Sequence, residues 1–514
     1  MSVGATFALL LALATSPVAQ AEPAGTVIMP LTCPMAGELS QILPLPDGGA
    51  IVTCVRAEGR HFADARTFRL SLERRGPDLA VRWTVDHPLA QDPGLARTMS
   101  AELIPWHAMR LDGGALTVLS HDGLVLWATP IDLESGRAGA AREIQRVALA
   151  GLSPGLLPLV PVSEPARTQT LSPTMLPDRP RHLLSRAAVA LSPSGAWVGV
   201  ASVERTGALT LRRYGGPGLE PAGDTTIPGP AGRRGAIFAS DTGDLLAVLT
   251  REGGTALDLV SWPRGGPPTV HTLDPGAALS GAPVAVWSQG SAWLIAEPPG
   301  REGAPAALWV AEQDPSSGAW SARATLPGTD QLGGRDRLAL VARPQGGVVA
   351  GMQAQSVTMT SVWVPSSSPY GVGYSQQVLL LRHGPFMLVA LDGEGQVQGS
   401  QVLDGVPMIT PMTSTRSAWA WGDGSALQMA WYTPHANGRA STGGLTLQRV
   451  SLVDGALSEP HTLELGVVDP PKGVWLSLTP GLQGQAWLVA SPAAWTDRKI
   501  RRVEDETLLV RVAL

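Results

Sequence analysis

Apolar residues in this chain come in short runs of five to seven, each closed by Gly, Pro, Asp or Ser. Almost no window of a dozen residues lacks a Gly or Pro. Such punctuation leaves no room for the 3.6-residue period of an amphipathic helix and predicts strands and turns throughout. One unit recurs, a Gly-containing turn followed by an apolar strand. It reads LPDGGAIVTCV, LDGGALTVLS, SPSGAWVGVASV, SDTGDLLAVLT, SQGSAWLIAE, RPQGGVVAGM, GDGSALQMAWY and LQGQAWLVASP, eight copies in all. A second alternating strand follows each: TFRLSL, LVLWAT, ALTLRR, ALDLVS, AALWVA, TSVWVP, GLTLQRVSL and TLLVRVAL. The pairs are therefore expected to be hairpins.

The turn glycines Gly48, Gly113, Gly195, Gly243, Gly290 and Gly346 lie 65, 82, 48, 47 and 56 positions apart, centred on the length of a four-stranded propeller blade. The expected fold is all-β, a single β-propeller of seven or eight four-stranded blades over residues 22–514 with its two terminal segments paired to close the ring. The alternative is two consecutive smaller β domains, split at the Pro-rich stretch 151–182. At the start of the strand after the turn an Ala-Trp step repeats, at Ala196-Trp197, Ala292-Trp293, Ala418-Trp419 and Ala486-Trp487, and Trp127, Trp262, Trp309 and Trp363 close the following strands. Trp placed at one point of a repeat points to packing between blades rather than to a sugar-stacking platform.

The DGG turn and apolar strand, clearest in LPDGGAIVTCV and LDGGALTVLS, resembles the degenerate repeats of bacterial exported β-propellers over most of residues 37–514. The resemblance implies the propeller fold and no particular activity. No strand ends in a Trp-Asp dipeptide, and ASDTGDLL spaces its Ser, Asp and Gly more closely than the sialidase Asp-box and lacks its final Thr-Trp. No catalytic residue carries over from a named subfamily.

The N-terminus reads MSVGAT, then the apolar FALLLALAT, then SPVAQA with Ala19 and Ala21 flanking Gln20. That order matches a secretory signal peptide over residues 1–21, although its first residues lack the usual Lys or Arg. The apolar run is shorter than the roughly 20 residues a membrane span needs. The mature protein is expected outside the cytoplasm, in the periplasm, on the outer surface or secreted, with no membrane span after signal removal. In that setting the two cysteines, Cys33 and Cys54, are most simply one disulfide pinning the N-terminal segment to the first sheet; two free buried thiols are the alternative.

A net charge of −5 offers no global basic field for nucleic acid or anionic lipid, and only Lys472 and Lys499 are lysines. Gly151–Gly155 matches G-x-S-x-G, but the LLPLVPVSEP that follows cannot form the helix a nucleophile elbow needs. No Gly-Lys-Ser/Thr cradle exists, Gly371-Val372-Gly373 lacks a third Gly, and the nine His stand singly. Neither cofactor nor metal is expected. The segments Asp392–Gly395 and Gly422–Ser425 read as hairpin turns, each with too few carboxylates for calcium, and the mixed charges of 497–506 as a hairpin loop.

Two segments interrupt the repeat, the Pro-rich 151–182 and the Ser/Gly/Pro-rich 365–377. The second carries Tyr370 and Tyr374, the composition of an adaptable recognition loop. The expected function is a binding or scaffold protein of the cell envelope that recognises a protein or glycan through loops on one face, with no nucleic-acid partner. The alternative is a polysaccharide-active enzyme, a hydrolase or lyase, whose acid and base converge at the central channel.

Overall fold

A computed structural model of the chain describes residues 27–30, 41–58, 67–89, 106–112, 114–121, 125–146, 187–203, 208–228, 232–251, 256–274, 284–296, 306–314, 317–329, 337–364, 374–403, 408–411, 418–422, 426–434, 442–451, 458–459, 461–467, 474–480, 485–492 and 508–513. Among these residues every regular element is a β-strand, and the strands form eight antiparallel sheets, seven of four strands and one of five. Each sheet is a blade that runs outward from a central channel. The innermost strands of blades 1 to 8 are Gln41–Pro44, Trp106–Asp112, Ala187–Leu191, Gly232–Ala239, Val284–Ser288, Arg337–Ala342, Ala418–Gly422 and Val474–Pro480.

Packing clusters show the blades standing side by side. Leu70 and Leu72 of blade 1 pack with Leu116 and Val118 of blade 2. Leu126 of blade 2 packs with Val198, Val200 and Tyr214 of blade 3, so the strands on either side of 147–186 share one core. Similar clusters join blades 3 to 4, 4 to 5 and 5 to 6. The innermost strands of blades 6, 7 and 8 touch in turn, and that of blade 8 touches that of blade 1, which closes the ring.

Closure is made by the two ends of the chain. Blade 8 takes three strands from the C-terminus and its outermost from the N-terminus, where Val27–Pro30 pairs antiparallel with Leu508–Ala513. That pairing was expected from the repeat, and it removes the open seam at which a ring could unzip.

Burial explains why the sequence showed solid apolar runs rather than clean alternation. A middle strand is covered on both faces by neighbouring blades: every residue of Leu257–Trp262 is buried, as are six of the seven in Leu209–Gly215. The outermost strands Val81–Pro88 and Glu220–Ile227 are mainly exposed or half-buried.

All eight turn-strand units seen in the sequence sit at the turn between the first and second strands of a blade. The paired glycines have a backbone reason. Gly48 and Gly346 hold φ of 83° and 95°, in the left-handed region. A Cβ on the next residue, Gly49 or Gly347, would collide with the carbonyl of Arg75 or Leu391 at the end of the third strand.

Seven of the eight second strands are the third strand of their blade, but TSVWVP is not. It lies inside Val348–Val364, a second strand 17 residues long, and the third strand of blade 6 is Tyr374–Leu391, 18 residues long. Ala418-Trp419 also departs from its expected place, since it opens the innermost strand of blade 7 instead of following a turn.

Candidate functional site

A four-stranded meander has two unequal ends. The turns from first to second and from third to fourth strand share one end, here the turn end. The connections from second to third strand, and from one blade to the next, share the other, the loop end.

At the turn end, Arg and Trp side chains tie blades to their neighbours. Arg74 of blade 1 donates from Nη1 to the Leu133 carbonyl of blade 2 at 2.6 Å, and Trp83 Nε1 donates to the same oxygen at 2.9 Å. Arg110, fully buried on the innermost strand of blade 2, reaches three carbonyls of blade 3. Its Nε donates to Gly195 at 2.7 Å, and its Nη2 to Gly216 at 2.9 Å and Ala196 at 3.4 Å. Nη2 also pairs with Asp112 at 2.6 Å. Burial pulls the Arg110 guanidinium below its usual range, while the Asp112 and Glu220 carboxylates pull the other way.

Blades 3 and 4 are joined in the same manner. Arg213 lies 4.1 Å from the centroid of the Trp262 ring and donates to the Trp262 and Pro263 carbonyls at 3.1 and 3.3 Å. The segment Ser240-Asp241-Thr242-Gly243-Asp244 is part of this joint. Asp241 accepts from the Ser194 amide at 2.7 Å, Asp244 accepts from the Arg264 amide at 2.7 Å, and the Arg264 guanidinium lies 4.6 Å from the Trp197 ring. Gln289 of blade 5 donates to the Pro344 carbonyl of blade 6 at 3.1 Å, and Arg511 of blade 8 donates to the Pro77 carbonyl of blade 1 at 2.7 Å. Charge-assisted bonds to carbonyls satisfy turn backbone that blade packing would otherwise bury unpaired.

The tryptophans whose side chains are described fit packing. Trp293 and Trp487 are almost fully buried, and Trp293 sits in the cluster between blades 5 and 6. The turn Asp392-Gly393-Glu394-Gly395 also has a backbone explanation. Asp392 accepts from the Glu394 and Gln396 amides at 2.9 and 2.8 Å, and these bonds, Gln396 first, hold its carboxyl below the usual range.

The loop end is different in kind. The second and third strands of blade 6 stay paired from Val348↔Leu391 out to Val364↔Tyr374, with one register shift between Gln353 and Gln355, far past the first strand, whose pairing stops at Gln353. The extension gains a third strand, Met408–Pro411, which pairs with Leu380–His383. Blade 6 therefore carries an arm that projects from the loop end, and residues 365–373 connect its two long strands. The longest stretch between blades, 147–186, also starts and finishes at this end.

The residues singled out from the sequence are placed as follows. Tyr374 opens the returning strand of the arm, opposite Val364, and Tyr370 lies outside the described residues. Cys54 sits on the second strand of blade 1 opposite Ser71, and Cys33 lies outside the described residues. Residues 1–21, 151–182 and 497–506 and the 423–425 part of the second acidic turn are outside them too. Cys54 and Tyr374 belong to blades 1 and 6 and are not brought together.

Along the eight innermost strands Asp112 is the one carboxylate, and it is held by Arg110. Among the described residues no group of three or more His, Cys, Asp or Glu could hold a metal ion. The clamp residues Arg74, Arg110, Arg213 and Arg511 were missed from the sequence. An Arg within a mainly apolar innermost strand, as in WHAMRLD, was the signal available.

No protein-family model matches the chain, and no curated protein matches it. Solved structures match it at low similarity. A prolyl endopeptidase matches at 13% identity with a TM-score of 0.37, over 89% of this chain and 55% of that one, so this chain spans little more than half of that enzyme. A europium-containing methanol dehydrogenase matches at 10% identity and a TM-score of 0.40, over 93% of both chains. The β-propeller domain of the Trilobed protease from Pyrococcus furiosus matches at 10% identity and a TM-score of 0.34, over 76% of this chain and 93% of that domain. The eight antiparallel sheets and the ring they close define the class, an all-β propeller, a fold that hosts unrelated functions.

Proposed function

We propose that this chain is an exported binding or scaffold protein of the cell envelope, whose loop end holds a protein or glycan partner. The observation that carries the reading is the arm of blade 6, whose 17- and 18-residue strands outrun every other strand among the described residues. A hairpin that long adds nothing to closing the ring. On a rigid scaffold it is a means of reaching a ligand. Export rests on the signal peptide read over residues 1–21, and a Cys33–Cys54 disulfide fits the oxidising compartment that export implies.

The test replaces residues 358–379 with Gly-Asn-Gly and compares capture from the envelope fraction of the source organism by the two immobilised proteins, each starting at residue 22. Retention that disappears with the arm is the expected result. Equal retention by both proteins overturns the reading.

A further inference from the structure

Each innermost strand starts at the loop end, so the first residues of all eight are gathered around one mouth of the central channel. On blade 4, Arg233 and Arg234 are the second and third residues of the innermost strand. Gly232 pairs with Arg251 and Arg234 with Thr250, which leaves Arg233 as the extra residue of a bulge. A bulge at a sheet end is a common device for re-aiming a residue at a site. On blade 6, Arg337 is the first residue of the strand, opposite Gln353.

Among the described residues, the first three positions of the eight innermost strands hold three cations, Arg233, Arg234 and Arg337, and no carboxylate. The whole chain holds 38 basic and 43 acidic residues, so the balance at the mouth is reversed. Trp106, Trp419 and Trp475 are the first or second residues of the same strands on blades 2, 7 and 8.

We propose that the loop-end mouth of the channel is a subsite for an acidic polysaccharide, a ligand class that deepens the loop-end reading above and rests on it. Guanidinium groups match carboxylate or sulfate oxygens in bidentate geometry, and indole faces suit the apolar faces of sugar rings. Cations interleaved with aromatics also suit single-stranded nucleic acid. The net charge of −5 favours the glycan, because nucleic-acid binders are typically basic over the whole domain.

The test uses the full chain without residues 1–21 and three probes: alginate, uncharged dextran and a single-stranded oligonucleotide. Alginate is expected to bind, more weakly as salt rises, and dextran is not. Arg233→Ala, Arg234→Ala and Arg337→Ala combined are expected to weaken alginate binding about tenfold or more. The same three positions changed to Lys should keep most of it, which separates lost charge from lost folding. Arg82→Ala removes an exposed cation at the turn end, paired with Asp78, and should change nothing. The proposal is overturned if alginate fails to bind, if the triple Ala variant binds like the parent, if Arg82→Ala weakens binding equally, or if the oligonucleotide displaces alginate. Envelope capture that still depends on the arm while alginate fails overturns the subsite alone. Alginate binding at the mouth with arm-independent capture overturns the arm alone.

Discussion

The two ends of the propeller are built from the same strands and yet differ in what their residues accomplish. At the turn end, short Gly turns are tied across blades by Arg74, Arg110, Arg213 and Arg511, whose hydrogen bonds go to backbone carbonyls of the next blade. At the loop end, the chain extends blade 6 into an arm and collects cations at the strand starts. The contrast teaches that, among the described residues, the side-chain clamps between blades gather at the turn end, while the extension of blade 6 lies at the other. Stability and recognition are thereby separable, and single substitutions should affect one without the other.

The largest effect is expected at the turn end. Arg110→Ala removes one member of a buried ion pair together with three bonds to carbonyls of blade 3, and should cost about 3–5 kcal/mol in denaturant unfolding. Envelope capture by the fraction that stays folded should not change. Cys54→Ser is expected to cost about 3 kcal/mol under oxidising conditions and far less under reducing ones, since a disulfide acts mainly by limiting the unfolded chain. Equal cost in both conditions would show that Cys33 and Cys54 are not bonded.

Arg213→Ala loses two charge-assisted bonds and the stack on Trp262, and should lower stability by about 1.5–3 kcal/mol. Arg213→Lys should recover only part of that, because the planar fork is what spans both carbonyls. Replacing 358–379 at the loop end should move stability by less than about 1 kcal/mol, since loop length enters closure entropy only weakly. A cost comparable to Arg110→Ala would erase the distinction between the ends.

The smallest effect is one of pH. His87, buried toward the loop end of the outermost strand of blade 1, has its pKa pushed below the ordinary value of 6.5, by burial first and by Arg69 second. Its folded form disfavours the proton that the unfolded chain accepts. Its contribution is therefore fully present above about pH 6.5 and is lost as pH falls toward the folded value. His87→Gln should flatten that part of a stability-against-pH curve and leave the rest unchanged.

Much of the ring was legible in the sequence, and the physical reason is local. Each first turn of blades 1 to 6 has a Gly with positive φ, so the turn-strand unit marked those blades by a backbone need. At the second repeat the residue with positive φ is Gly114, one position after the Gly used to measure the spacing. TSVWVP was expected to be a separate hairpin partner, because a 17-residue strand has the composition of two ordinary ones. Ala418-Trp419 was assigned to a second strand because an Ala-Trp pair carries no mark of which strand it opens. The clamps were not legible at all. Arg511 and Pro77 stand 434 positions apart, and only ring closure brings them together. The same holds for the arginines that open the innermost strands of blades 4 and 6, which are far apart in the sequence and come to one end of the ring only through the shared direction of those strands.

Hydrogen exchange of the full chain with and without bound alginate tests the division between the two ends most directly. The account predicts new protection at 232–236 and 337–341, with the turns 45–49, 192–196 and 343–347 unchanged. Protection at those turns, with none at the strand starts, would contradict it.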